Sequence, residues 1–136
     1  MPTDYRLIQI AAFQTKFQDK SPSILSYIKS SPGEDVSSIS SGTGESITDT
    51  EMVLHVLEIS QIIVAATGID DGLRYWHSED WANSLSSSLG QARTWQSNHN
   101  GGLMSEMATD LSIPYEIAER LGWILEYEGT SKRANV

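Results

Sequence analysis

Three histidines are the side chains of this sequence best suited to acid–base or metal chemistry, because the chain contains no cysteine. Carboxylates flank His77 along the chain, at Asp70, Asp71, Glu79 and Asp80. Such carboxylates can orient an imidazole or hold a hard cation beside it. Turns and helix starts favour the same acids, and their spacing around His77 matches no established metal loop. We therefore predict no metal and no cofactor, and a small-ligand or metal-assisted enzyme at His77 is the least favoured alternative.

No other arrangement of residues in the sequence predicts catalysis. His55 falls within an apolar stretch and His99 between two asparagines, contexts that are typical of a core or edge position and of a loop, respectively. No serine stands in the Gly-x-Ser-x-Gly turn that exposes a nucleophile. The four tryptophans could line a ligand pocket, but core packing is the favoured interpretation. The sequence predicts a protein that is not an enzyme.

Acidic residues dominate the middle of the chain. The net charge is −9 over 136 residues, yet residues 1–33 hold four bases against two acids, and residues 34–80 hold ten acids against Arg74 alone. This charge repels phosphate backbones at long range and favours basic partners. It predicts a protein partner of basic character and disfavours nucleic acid. A solvated surface explains the same charge without a partner, and both interpretations stay open.

The N-terminal segment and the apolar runs predict neither export nor membrane insertion. An acid precedes the first base, and the longest apolar run, Ile62 to Ala66, is far shorter than the roughly 20 residues that cross a bilayer. Because cysteine is also absent, we expect a cytoplasmic or otherwise intracellular protein without a membrane partner.

Apolar periodicity predicts a chain built from helices. One helix is expected from Asp4 to Phe17, and a second from Ser21 to Ser30 with Pro22 in its first turn. The Ser- and Gly-rich residues 30–49 predict a flexible acidic loop. Its Ser/Thr cluster at 37–48 could be phosphorylated, although a plain linker is the favoured interpretation.

A central helix is predicted from Met52 to Thr67, with a Thr48–Glu51 capping box before it and Gly68 as its stop. The β-branched run Ile62 to Val64 gives the alternative of a buried strand, which is disfavoured because no second strand-like segment is evident. After a turn at residues 70–72, a helix capped by Ser78 is expected. Its apolar stripe is Trp81, Leu85, Leu89, Ala92 and Trp95. The weakly charged outer face of this helix permits self-association as a homodimer.

The segment at residues 103–129 resembles the helix-turn-helix of the winged-helix superfamily. Ala108 stands where two helices cross in that family, and Leu111 and Ile113 flank the turn. The apolar residues of the second helix point inward in the family, and here they are Ala118, Leu121 and Leu125. Leu125 to Gly129 is similar to the family's exit into its hairpin wing. The resemblance covers about a fifth of the chain.

This resemblance implies DNA binding through residues 115–120 of a longer recognition helix, with Lys132 and Arg133 near a phosphate. The side chains of that helix favour a protein partner instead, because four acids oppose Arg120 alone: Glu116, Glu119, Glu126 and Glu128. Ser112 stands where the family usually has glycine, and together with Pro114 it predicts an ordinary N-cap. Two packed helices without any DNA contact are an equally simple interpretation.

Together these patterns predict an all-α fold, a single domain of five or six helices that ends in a helix-turn-helix-like pair. The favoured function is that of a non-enzymatic acidic interaction module, an adaptor, regulator or inhibitor that binds a protein partner. The alternative is a dimeric helix-turn-helix regulator that binds DNA. The predicted partner-binding residues are acids or lie at the start of the last helix: Asp70, Asp71, Glu79, Asp80, Tyr115, Glu116, Glu119 and Arg120.

Overall fold

The computed structural model describes the backbone of residues 5–129 and the side chains of residues 11–129. Within that range the chain forms six helices and two strands: α1 (Tyr5–Ser30), α2 (Val36–Thr43), α3 (Ile47–Ile59), β1 (Ile63–Thr67), β2 (Leu73–His77), α4 (Ser78–Asn98), α5 (Met104–Leu111) and α6 (Tyr115–Tyr127). The prediction of a mainly helical fold is confirmed. The stricter all-α prediction is wrong, because β1 and β2 form an antiparallel hairpin.

The β1–β2 hairpin lies between two hydrophobic clusters. Its register pairs Ile63 with His77 at one end and Thr67 with Leu73 at the other, so odd-numbered side chains share one face and even-numbered ones the opposite face. Ile63 and Tyr75 are buried among residues of α1, α2 and α3. Ala66 and Trp76 are buried among residues of α4, α5 and α6. Each face of the hairpin therefore completes the core of a different helical group.

The predicted central helix from Met52 to Thr67 is wrong in its second half, because α3 ends at Ile59. Gln61 adopts a left-handed backbone with φ of 63°. The Ile62 amide then donates to the Leu57 carbonyl at 2.9 Å, and the Gln61 amide donates to the Glu58 carbonyl at 2.9 Å. This pair of hydrogen bonds satisfies two of the last carbonyls of the helix without a glycine. The β-branched residues that follow form β1, which was the disfavoured alternative, and Gly68 belongs to the hairpin loop.

The predicted flexible loop at residues 30–49 is wrong, because this segment contains α2. Asp35 caps that helix by accepting a hydrogen bond from the Ser38 amide at 2.9 Å, and Ile39 is wholly buried. Gly42 allows the Tyr27 ring to lie against the helix, since a Cβ at that position would overlap a carbon of the ring. Composition is a poor guide here because one apolar anchor and one cap are sufficient to hold a Ser-rich turn of helix.

The N-terminal residues form one helix where two were predicted. α1 continues through Pro22, with Phe17 before the proline packed on the same cluster in which Ile24 and Ile28 after it are fully buried. At the start of α3, the cap is Ser46, whose hydroxyl accepts from the Asp49 amide at 3.1 Å. The predicted Thr48–Glu51 capping box is therefore wrong by two residues.

The second half of the chain agrees better with the sequence pattern. The predicted stripe of α4 is confirmed, since Trp81, Ala92 and Trp95 are buried. Ser78 is the first residue of α4 and not its cap, and its hydroxyl donates to the Gln61 carbonyl at 2.8 Å. The predicted N-cap role of Ser112 is also wrong. Ser112 ends α5 in a left-handed conformation with φ of 55°, and Pro114 occupies the position before α6.

Candidate interaction site

The structure separates the predicted acidic residues of the hairpin region. Asp70 and Asp71 lie in the turn between the strands, whereas Glu79 and Asp80 lie in the first turn of α4, beyond the far end of β2. The six residues between the turn and α4 span about 20 Å of extended strand. His77 lies at the α4 end, half-buried, and so the four acids do not form one group around it.

Several other acids of the central region have structural partners. Asp49 lies 3.3 Å from Lys16, and Lys20 contacts both Glu45 and Asp49. The hydrogen bond from the Ser38 backbone amide holds the pKa of Asp35 below its usual range. The amide of Gly72 has the same effect on the pKa of Asp70, which also pairs with Arg74 at 2.9 Å. These contacts cap helices or join elements, so the net charge of the segment does not describe one open acidic surface.

The predicted residues at the start of α6 have different environments. Tyr115 is half-buried and packs against the hydrophobic cluster formed by α4, α5 and α6. Glu116 is buried, and one of its oxygens accepts a hydrogen bond from the Trp76 indole at 3.2 Å. Arg120 is exposed, and its guanidinium lies 5.5 Å from the centre of the Trp81 ring. This distance is within the range of a cation–π contact, which holds the arginine in place without neutralising its charge.

A cavity of about 140 Å³ lies between β1 and α6. We call it the β1–α6 groove, and its lining residues are Ala65, Ala66, Thr67, Glu116, Glu119, Arg120 and Trp123. Three of the predicted residues thus line one cavity. Neither Glu119 nor Arg120 forms an ion pair within the side chains that the structure describes. The groove therefore presents the Glu119 carboxylate and the Arg120 guanidinium, beside the buried Glu116, as charges that can act on a ligand.

The outer edge of β1 borders this groove. The hydrogen bonds from Ser78 to Ile62 and from Gly68 to Gly72 show that the even-numbered residues of β1 face β2. The amides and carbonyls of Ala65 and Thr67 consequently point away from β2. No residue in the described part of the chain hydrogen bonds to them. Within the described residues, β1 is thus an edge strand whose outward backbone donors and acceptors are unpaired.

Sequence reasoning missed Ala65 and Thr67 as candidate site residues, because it placed them inside a helix. It also interpreted all four tryptophans as core residues. This is confirmed for Trp76, Trp81 and Trp95, but Trp123 is 47% exposed at the groove. The sequence did hold a signal for this exposure: Trp123 follows Glu119 by four residues and Arg120 by three, which places it on the polar face of the helix. Lys132 and Arg133 lie outside the described residues.

A second arrangement of polar groups lies where α4 and α5 meet. The His99 ring stacks on Trp95 with centroids 4.3 Å apart, and the Trp95 indole donates to Asp110 at 2.8 Å. The Nδ1 of His99 lies 2.9 Å from the Trp95 carbonyl, so this nitrogen carries the proton. Its Nε2 lies 3.9 Å from Asp110. His99 directly follows α4, in the connection to α5, so its predicted loop position is confirmed, and its contacts link α4 to α5.

The described residues contain no candidate metal site, because no group of three or more His, Cys, Asp or Glu side chains among them could hold an ion. Among the same residues, none of the helices has the length and apolar character to span a membrane.

Comparison with models of known protein families and with curated proteins finds no match to this chain. The chemistry of the groove is therefore the basis for assigning a function.

Proposed function

We propose that this protein is a non-enzymatic, acidic interaction module that binds a protein partner in the β1–α6 groove. The observation that carries the proposal is the combination of the exposed Trp123 with two charged side chains, Glu119 and Arg120, beside an unpaired strand edge. Tryptophan and arginine are the residue types that most often dominate binding energy in protein interfaces. An open strand edge is a ready template for pairing with another chain, so this feature favours a role in binding.

The charge of the molecule defines the kind of partner. A net charge of −9 raises the local concentration of basic segments and slows the approach of acidic ones. Within the groove, Glu119 offers a counter-charge to a lysine or arginine of the partner. Arg120 is already held against Trp81, so it adds a fixed donor that can bind a carbonyl or a carboxylate. The partner is accordingly expected to be basic overall around its docking segment.

The proposal can be tested by capture with matched variants. The wild-type chain, Glu119→Lys and Trp123→Ala are immobilised and exposed to an extract of the source cell. A protein with a basic segment should be retained by the wild type and reduced about tenfold with either variant, since an interface hot spot contributes at least about 1.4 kcal/mol. Glu106→Lys makes the same charge change on exposed α5, and Tyr127→Ala removes another exposed aromatic side chain of α6.

These two controls should retain the partner as the wild type does. Equal retention by Glu119→Lys, Trp123→Ala and the wild type would contradict docking in the groove. Equal loss with the groove variants and the controls would also contradict it, because the effect would then follow from total charge or from folding.

DNA binding is the second candidate function, and one observation favours it. α5 and α6 are joined by a turn of three residues, and Ser112 takes the left-handed conformation for which a helix-turn-helix commonly uses glycine. The exposed side of α6 is mainly acidic, which opposes contact with phosphates. Fluorescence anisotropy with a labelled mixed-sequence duplex at about 50 and 200 mM salt decides between the two functions. Salt-sensitive binding that falls in Arg120→Ala would favour the regulator, and absence of binding would favour the protein partner.

A further inference from the structure

We infer that the partner enters the β1–α6 groove as an extended basic peptide that pairs with the outer edge of β1. The peptide then forms a third strand of the sheet, next to β1. This inference rests on the proposed function and specifies the partner's conformation and chemistry. Its first support is the pair of outward-facing backbone positions at Ala65 and Thr67, which are spaced as a strand requires for alternate pairing.

The opposite edge of the hairpin shows how such a segment fits. Residues 33 and 34 lie beside β2, where the Gly33 amide donates to the Tyr75 carbonyl at 3.0 Å and the Tyr75 amide donates to the Glu34 carbonyl at 3.0 Å. The chain therefore covers the edge of β2 with its own extended segment. Within the described residues, the edge of β1 has no equivalent cover.

The sequence of β1 also lacks the devices that normally protect an edge strand. Exposed edges usually carry a lysine, a proline or a bulge that prevents pairing with another chain. Residues 62–67 contain no charged residue and no proline, and the register from Ile63 to Thr67 is continuous. A strand of this composition is suited to a structure in which the edge is occupied.

Charge selects the occupant of this edge. Pairing between the β1 strands of two copies would bring both groove linings to one interface, each with Glu116 and Glu119 against Arg120, between molecules that each carry −9. An extended peptide with basic residues avoids this repulsion. Its side chains would alternate, and every second one would face α6, where Glu119 supplies the opposite charge and Trp123 an apolar surface.

The test uses peptides selected from a phage-displayed library of random sequences, each about 12 residues long, on the full-length chain; about 12 residues exceed the usual length of a strand. The strongest binder is then synthesised in two N-methylated versions. One version carries backbone N-methyl groups on the odd-numbered residues of the peptide, and the other carries them on the even-numbered residues. Strand pairing predicts that one version binds at least about tenfold more weakly and that the other stays within about twofold of the parent peptide. Equal affinity of the two versions would overturn the inference, and this comparison uses the wild-type protein throughout.

Protein variants provide the second readout. Thr67→Pro removes an outward amide that the hairpin does not use, so it should weaken the selected peptide about tenfold, whereas Thr67→Val keeps the amide and should bind as the wild type does. If the N-methyl versions bind equally but Glu119→Lys and Trp123→Ala still weaken binding, strand addition fails and groove docking stands. Failure to select any peptide, or peptides insensitive to every groove variant, would overturn both. Concentration-dependent dimerisation that Thr67→Pro abolishes would assign the edge to a second copy and also overturn the inference.

Discussion

Thr50 is a buried polar residue whose environment gives a sharp prediction about stability. It is fully buried in α3, and its hydroxyl oxygen has no hydrogen-bond partner among the described residues. Thr50→Val keeps the shape of the side chain and replaces the hydroxyl with a methyl group. The free energy of unfolding should rise by about 1 kcal/mol, because a buried unpaired hydroxyl costs about 1–3 kcal/mol.

Urea denaturation of the wild type, Thr50→Val and Thr50→Ser measures this effect. The serine variant keeps the hydroxyl and loses the methyl group, so its stability should fall below that of the wild type. A valine variant less stable than the wild type would show that the hydroxyl has a partner in solution.

Asp35 contributes to stability in a way that depends on pH. Its side chain caps α2, and Asp35→Ala should lower the free energy of unfolding by about 1 kcal/mol at neutral pH. Asp35→Asn keeps an oxygen acceptor and should lose less. Because the Ser38 amide lowers the pKa of Asp35 in the folded protein, the contribution of its charge is complete above about pH 5 and is lost as the pH falls below 3.8 and through the lowered pKa.

Chemical denaturation of the wild type and Asp35→Asn at several pH values tests this sign. The difference in stability between the two proteins should be constant above about pH 5 and should shrink as the pH falls below 3.8. A difference that grows in acid would contradict the assigned cap.

At the scale of the element, two helical glycines with opposite surroundings predict opposite effects of alanine. Gly90 lies exposed inside α4, and a Cβ added there would have no neighbouring atom within 4 Å, so Gly90→Ala should raise the free energy of unfolding by about 0.5–1 kcal/mol. Gly42 lies in α2, where the same Cβ would overlap the Tyr27 ring. Gly42→Ala should lower stability by about 1–3 kcal/mol through this overlap.

Thermal unfolding followed by circular dichroism compares these two variants. Gly90→Ala should raise the melting temperature and Gly42→Ala should lower it. Equal shifts in one direction would show that helix propensity alone decides and that the Tyr27 contact is not formed.

The sequence predicted those elements whose burial is one-sided. α4 buries one face and exposes the opposite face, so its apolar residues from Trp81 to Trp95 recur with the helical period of about 3.6 residues and could be recognised in the sequence. The hairpin was missed because Tyr75 and Trp76, neighbours on β2, are both buried, on opposite faces and in different clusters. A strand buried on both sides shows no alternation of apolar and polar residues. The end of α3 was missed because its left-handed residue is Gln61 and not glycine.

At the scale of the whole molecule, the candidate groove joins parts of the chain that are far apart in sequence. The residues of β1 and those of α6 are separated by about fifty positions, and only the packing of the hairpin against α6 brings Ala65 and Thr67 beside Glu119 and Trp123. The sequence pointed to Glu116, Glu119 and Arg120 through the helix-turn-helix resemblance and through their charge. It offered no means of predicting the strand edge opposite them, because that edge exists only once β1 pairs with β2 on its other side.

The net charge illustrates the same limit. A total of −9 favours a basic partner, but the sequence alone does not distinguish acids that cap helices or pair with lysines from acids that face a groove. Asp35, Glu45 and Asp49 belong to the first kind. Glu119 belongs to the second, and the prediction of a basic partner therefore depends on it more than on the larger number of acids in residues 34–80.

Amide hydrogen exchange of the free protein, resolved by residue, tests the open edge of β1 most directly. Val64 and Ala66 donate within the hairpin, so their amides should exchange slowly. Ala65 and Thr67 point outward and should exchange at least about tenfold faster, independently of protein concentration. Equally slow exchange at all four residues would show that the edge is covered in the free protein and would contradict a docking site there.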